Sequence, residues 1–213
     1  MVKKETDKLY SCYLSNANLR WKYGNSVLYR MCKEQPEHKD IDIIVGKIWL
    51  IGRSYAAAIE RRKNAVGSGD DFYYDVVAPK LLEIGPELDD RIAGLRKSKG
   101  LIVDDVKEIL STHKFLMDTF YEMTGLEKRS LASKYLHFHC PEKFFIYDSR
   151  ARAGIGKLIK RPDKGLLDSV PDYDPEYGDF VCRMIELQEY LDKQFGMYEL
   201  PRKLDSFLLT DIK

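Results

Sequence analysis

The residues best suited to chemistry lie in one run, Ser130-Leu-Ala-Ser-Lys-Tyr-Leu-His-Phe-His-Cys-Pro-Glu-Lys-Phe-Phe-Ile-Tyr-Asp-Ser-Arg150. A neutral lysine is a nucleophile that can bond covalently to an electrophilic carbon. A carboxylate beside it can act as base and as partner for developing positive charge. Lys134 and Asp148 are such a pair of residue types. At neutral pH the lysine has to be desolvated, or near another cation, to lose its proton, and Lys128 and Arg129 are close in sequence. Taken singly, each has a plainer reading: Lys134 as an exposed helix lysine, Asp148 as a helix cap.

The elements that must position this pair are legible around it. Leu131, Tyr135 and Phe138 form the apolar side of a short helix over 130–138, which Pro141 ends. Phe144–Tyr147 is an apolar connector, and residues 143–147 are the only strand-like run in the chain. Asp148 then stands where a new helix begins, followed by Ser-Arg-Ala-Arg-Ala. A connector of that length can fold the two helices back towards each other.

The rest of the chain reads as helical. Ile41, Ile44, Ile48, Ile51, Tyr55 and Ile59 step by three or four, predicting a helix from Asp40 or Asp42 to about Lys63, broken by Val66-Gly-Ser-Gly-Asp-Asp71. A helix from Phe72 to about Ile84 is interrupted by Gly85-Pro86, with a short one near Leu88–Lys97. The stripe Ile102, Val106, Ile109, His113, Leu116, Phe120 ends at Gly125 as a helix C-terminus does. Asp174-Pro175-Glu176 combines an N-cap, a first-turn proline and a first-turn acid, and a last short helix follows Pro201. The reading is all-α, one continuous domain over 1–213, built as one body or as two lobes. No repeat or low-complexity tract interrupts it.

Composition narrows the class. At 213 residues, 44% hydrophobic and 32% charged, the chain can bury a sizeable core and is not of disordered type. The N-terminal MVKKETDKLY has no apolar signal region, and no stretch approaches the roughly 18 uncharged apolar residues of a membrane span. Four scattered cysteines without a CxxC pair read as reduced thiols of a cytoplasmic protein. The net charge is only +1, yet Lys128 to Lys164 holds ten Lys/Arg against three acids. An acidic stretch follows it (Asp168, Asp172, Asp174, Glu176, Asp179). The asymmetry points to a polyanion partner, or to a basic segment that meets its own acidic neighbour. His137, His139 and Cys140 suggest a metal only at first sight, because H-x-H-C spreads its side chains over different helix faces. No metal and no cofactor are expected. Arg53, Tyr55, Glu60 and Arg61 could pair internally or line a pocket.

The run from 128 to 150 resembles the catalytic segment of helix-hairpin-helix DNA glycosylases, especially the bacterial and archaeal 8-oxoguanine DNA glycosylase-like branch. In that family a hairpin of the form L-P-G-x-G-x-K carries the catalytic lysine, and the catalytic aspartate follows a connector ending in P-[IVF]-x-D. Lys128-Arg-Ser-Leu-Ala-Ser-Lys134 aligns with the hairpin and Phe145-Ile-Tyr-Asp148 with the aspartate box. Pro201-Arg-Lys-Leu-Asp-Ser-Phe-Leu and Trp49-Leu-Ile-Gly-Arg-Ser-Tyr-Ala-Ala-Ala are also similar to segments of such proteins, and the likeness covers some 60 residues. Ser130 and Ala132 replace the hairpin glycines, which elsewhere let backbone N–H groups approach a phosphate. Arg129 replaces the hairpin proline and offers a side-chain phosphate contact instead.

The resemblance implies a helix-hairpin-helix fold acting on double-stranded DNA that contains a modified base. Its substrate would be 8-oxoguanine or a modified base of foreign DNA, flipped into a pocket. Lys134 and Asp148 would be catalytic, with Lys134 displacing the base and holding the sugar as a Schiff base. Asp148 would stabilise the positively charged sugar. Lys128, Arg129, Ser130, Ser133 and Arg150 would contact the DNA. A monofunctional enzyme using Asp148 and water is a variant. A non-catalytic DNA-binding module and a helical regulatory protein are the competing classes.

Overall fold

The computed structural model describes residues 3–16, 22–61 and 70–209. Among them the regular structure is helical, with no strand, so the chain is all-α. Helices α1 (Lys3–Asn16), α2 (Lys22–Glu34) and α3 (Ile41–Ser54) come first. A single turn α4 (Asp70–Phe72) runs through a π-helical segment, Tyr73–Val77, into α5 (Ala78–Glu83). Then come α6 (Gly85–Lys97), α7 (Val106–Thr124), α8 (Arg129–His139) and α9 (Ser149–Leu158). A 3-10 turn at Gly165–Leu167 precedes α10 (Pro175–Phe195) and α11 (Pro201–Leu209).

Local chemistry explains most boundaries. The Asp40 side chain accepts from the Ile43 N–H at the start of α3, and Asp174 accepts from the Tyr177 N–H at the start of α10. Gly125 ends α7 with φ of 67°, a left-handed turn that a side chain would resist. Pro79 lacks an N–H, and its ring would meet the carbonyl four residues back. The widened turn just before it accommodates both.

Three expectations are corrected. The helix begun by Asp40 stops at Ser54 rather than near Lys63, because residues 55–58 fold back over its last turn. There the Ala57 N–H donates to the Gly52 carbonyl, and a Cβ on Gly52 would lie 3.1 Å from the Ala58 Cα. The stripe begun at Ile102 becomes helical only at Val106, after a turn. The helix from Phe72 is not uniformly α. The run 143–147 forms no strand, as the connector reading has it. Most of the expected break at 66–71 lies outside the described residues.

The buried side chains form one cluster reaching from Tyr10 to Leu208. α8 lies inside it, with every residue from Leu131 to His139 buried, and packs on α2, α3 and α7. A helix apolar on one side only cannot be enclosed this way unless its polar side finds partners. At the periphery, Tyr10 of α1 meets Phe207 of α11 edge-on at 5.4 Å, joining the two ends of the described chain.

Candidate functional site

Ser130, Ser133, Lys134 and His137 sit at i, i+3, i+4 and i+7, one face of α8. Three of them, Ser130, Ser133 and His137, bond to the connector. The His137 Nδ1–H donates to the Phe144 carbonyl at 2.8 Å. The Tyr147 N–H donates to Ser133 Oγ at 3.0 Å, and the Ser130 hydroxyl donates to the Tyr147 carbonyl at 3.1 Å. Tyr177 adds an O–H bond to the Phe145 carbonyl at 3.0 Å. Side chains therefore satisfy backbone groups that a sheet would otherwise pair, which is why an extended apolar segment crosses the core without a strand partner. The clamp at Tyr147 places the next residue, Asp148, whose Oδ1 accepts from the Arg150 and Ala151 N–H groups at 2.9 and 2.8 Å. Asp148 is thus the N-cap of α9.

Lys134 is not the exposed lysine of the plain reading; it is only 3% exposed. Its Nζ donates to Ser130 Oγ at 2.8 Å and to the Tyr55 carbonyl at 3.4 Å, and lies 5.8 Å from the Tyr55 ring centre. Burial pushes its ammonium below the ordinary lysine range, against the opposing pull of Asp148 and Asp205. Tyr55 belongs to the segment folded back over α3, in which Ala56 has a φ of 51°, unusual for a side-chain-bearing residue. A cleft of about 280 Å³ opens beside this segment, lined by residues 56–58, Arg61, Glu127, Lys128, Ser130 and Leu131.

Asp205 on α11 completes the arrangement. It is 2% exposed, and its Oδ2 accepts from Arg202 Nη1 at 2.7 Å while its Oδ1 has no partner. Burial pushes its carboxyl up to about 7, with Asp148 adding to the rise and Arg202, Lys134 and Arg150 opposing it. Arg202 lies 6.0 Å from the ring centre of the same Tyr55. α11 packs on α9, and the Lys134 amine and the Arg202–Asp205 pair meet at the same Tyr55 ring, with the charge of Asp148 at the start of α9 acting on both Lys134 and Asp205.

The residues expected to touch DNA divide. Arg150 is exposed, reaching the Leu209 carbonyl at 3.4 Å, and Lys128 Nζ donates to the Arg61 carbonyl at 2.6 Å. Ser133 is fully buried, and the Ser130 hydroxyl is taken up by Lys134 and Tyr147. Arg129 is committed to Asp174, Glu176 (2.9 Å) and Glu127 (3.0 Å), binding the start of α8 to that of α10. The phosphate contacts expected of Arg129, Ser130 and Ser133 therefore meet side chains already engaged within the protein. Arg152 pairs with Glu176 at 2.9 Å and Lys164 with Asp179 at 2.7 Å. The basic segment thus meets the acidic stretch that follows it, while Lys160 and Arg161 are exposed.

The remaining candidates resolve simply. Arg53 pairs with Glu60, and Arg61 Nη1 donates to the Ala56 carbonyl at 3.5 Å, so among these only Tyr55 reaches Lys134. His137 accepts from the Tyr29 hydroxyl at 2.6 Å through Nε2, and burial pushes it down to about 4. His139 stacks on His38 and bonds the Tyr135 carbonyl. Among the described residues no His/Cys/Asp/Glu group has metal-ligand geometry, and the buried Cys32, Cys140 and Cys182 are free thiols. No helix there is long and apolar enough to cross a membrane.

Sequence reasoning gave Asp205 no role, although a signal was present. Pro201, Leu204, Asp205 and Leu208 are the buried stripe of α11, and an acid on such a stripe needs a reason. No family model, curated protein or solved structure matches this chain.

Proposed function

We propose that the protein is a DNA glycosylase that removes a damaged or modified base and holds the sugar as a Schiff base on Lys134. The observation that carries the reading is a lysine amine at 3% exposure, bonded to a serine that lines an open cleft and acted on by the charge of two carboxylates. Burial favours the neutral amine that attack on the sugar C1′ requires. Asp148, at the N-terminus of α9, supplies the anion that opposes positive charge on the sugar. A lysine meant only for phosphate would stand in solvent, which argues against simple DNA binding through Lys134. The helix-hairpin-helix likeness of residues 128–150 belongs to the same proposal.

The competing reading is a helical interaction protein without chemistry. It draws on the ion pairs between the basic segment and its acidic neighbour, which reduce the charge available to a polyanion. Borohydride trapping on duplexes carrying 8-oxoguanine, abasic sites or modified cytosines separates the two, with Lys134→Gln as control. A covalent adduct lost in the variant is the expected result. Abasic sites formed without an adduct, dependent on Asp148, identify a monofunctional enzyme. Neither product on any duplex refutes the reading.

A further inference from the structure

The site holds two carboxylates in unlike settings, and base release needs more than one task from them. Asp148 has its Oδ1 tied by two backbone N–H groups and is partly open to solvent. Asp205 is enclosed, with one oxygen held by Arg202 and the other bonded to nothing among the described residues. A buried polar atom without a partner is costly and uncommon, and at a reacting centre it marks a place for a ligand atom or a proton. The charged and titratable groups that face Asp205 come from every neighbouring element. They are Lys134 on α8, Asp148 and Arg150 at the start of α9, Tyr13 on α1, Tyr29 on α2, Tyr55 after α3, and Arg202 on its own helix.

We infer that Asp205 is the proton carrier of the site, delivering a proton from its free oxygen to the departing base. This rests on the glycosylase reading and assigns a task that neither Lys134 nor Asp148 performs. As the neutral Lys134 amine bonds to C1′, the C1′–N glycosidic bond breaks and its electron pair leaves with the base. The Asp205 proton moves to that base, which departs neutral, and Asp205 becomes a carboxylate. The new nitrogen on C1′ carries two hydrogens and a positive charge. It gives one proton to Asp205; the C1′–O4′ bond then breaks as C1′=N forms, the remaining nitrogen proton passes to O4′, and a neutral Schiff base is left with the acid restored. Two carboxyls in unlike settings, one enclosed and one on a helix N-terminus, can divide acid and electrostatic work in this way. Burial, which holds Asp205 up to about 7, keeps the proton available near neutrality.

The test compares base release from an 8-oxoguanine duplex with borohydride trapping on a preformed abasic duplex, which has no base to expel. In Asp205→Asn, release should fall about 100-fold, the scale of a lost general acid, and trapping by no more than about tenfold. Wild-type release should decline above about pH 7, and the variant should lose that limb. Retained trapping also shows that the variant is folded. Release at the wild-type rate, or release and trapping reduced equally, overturns the proton-carrier role while Lys134 chemistry stands. No release and no trapping by the wild-type protein overturns the glycosylase reading and this inference with it.

Discussion

Replacing Asp205 by asparagine should change how the stability of the protein depends on pH, whether or not the protein acts on DNA. In the folded chain burial holds the Asp205 carboxyl up to about 7, whereas an unfolded aspartate titrates near ~3.9. Between those values the folded state keeps a proton that the unfolded state has released. Stability from this group is therefore fully present below about pH 4 and is lost as pH rises through about 7. Three units at about 1.4 kcal/mol each give on the order of 4 kcal/mol in all, of which about 2–3 kcal/mol falls between pH 5 and pH 8. At 2% exposure, solvent screening removes little of it. The buried histidines act in the opposite sense. Burial pushes His113 and His137 down to about 4, so their contribution is present above about 6.5 and is lost in acid. They are unchanged in the variant and cancel in the difference. Urea unfolding of both proteins at pH 5, 6, 7 and 8, followed by tryptophan fluorescence, gives the comparison directly. The stability of Asp205→Asn relative to wild type should rise by about 2–3 kcal/mol across that range. Parallel curves, differing by a constant within about 0.5 kcal/mol, would refute the reasoning, because the folded protein would then hold no extra proton at Asp205.

Two further outcomes are expected. Lys134→Met fills the same space without a buried polar amine and should stabilise the fold by about 1–3 kcal/mol while abolishing any borohydride adduct. A lower urea midpoint at pH 7 would mean that the amine is held favourably by Asp148 and Asp205 rather than under desolvation. Ser133→Ala leaves the buried Tyr147 N–H without its acceptor and should cost about 1–3 kcal/mol. Because Asp148 directly follows Tyr147, the proposed base release should also fall about tenfold or more, through misplacement of the carboxylate. Unfolding and release both at wild-type values would remove the serine clamp from the account.

The all-α class, a helix start at Asp40 or Asp42, the cap at Asp174, the stop at Gly125 and the placing of Asp148 at a helix start were all legible in the sequence, and the structure makes Asp40 the cap. Each follows from short-range rules: a carboxylate bonding an N–H two or three residues on, a glycine where φ turns positive, apolar residues three and four apart. The early end of α3 was not legible, because the apolar period continues through Ile59 while the backbone turns back over Gly52. The fate of the strand-like run depended on Ser130, Ser133, His137 and Tyr177, whose bonds to the connector exist only once α8 and α10 are packed around it.

The same division runs through the site. Sequence alone supplied a lysine, an aspartate and a spacing that lets them meet. It could not supply the 3% exposure of Lys134, which depends on α2, α3 and α7 enclosing α8. Nor could it show that Arg129 serves Asp174, 45 residues away, rather than a phosphate. Asp205 lies 71 positions from Lys134 in the chain and joins it only because α11 returns against α9. Local propensity acts over a few residues and is written in their order. Burial, and the proton affinities that burial sets, are decided by what the folded chain brings together around each group.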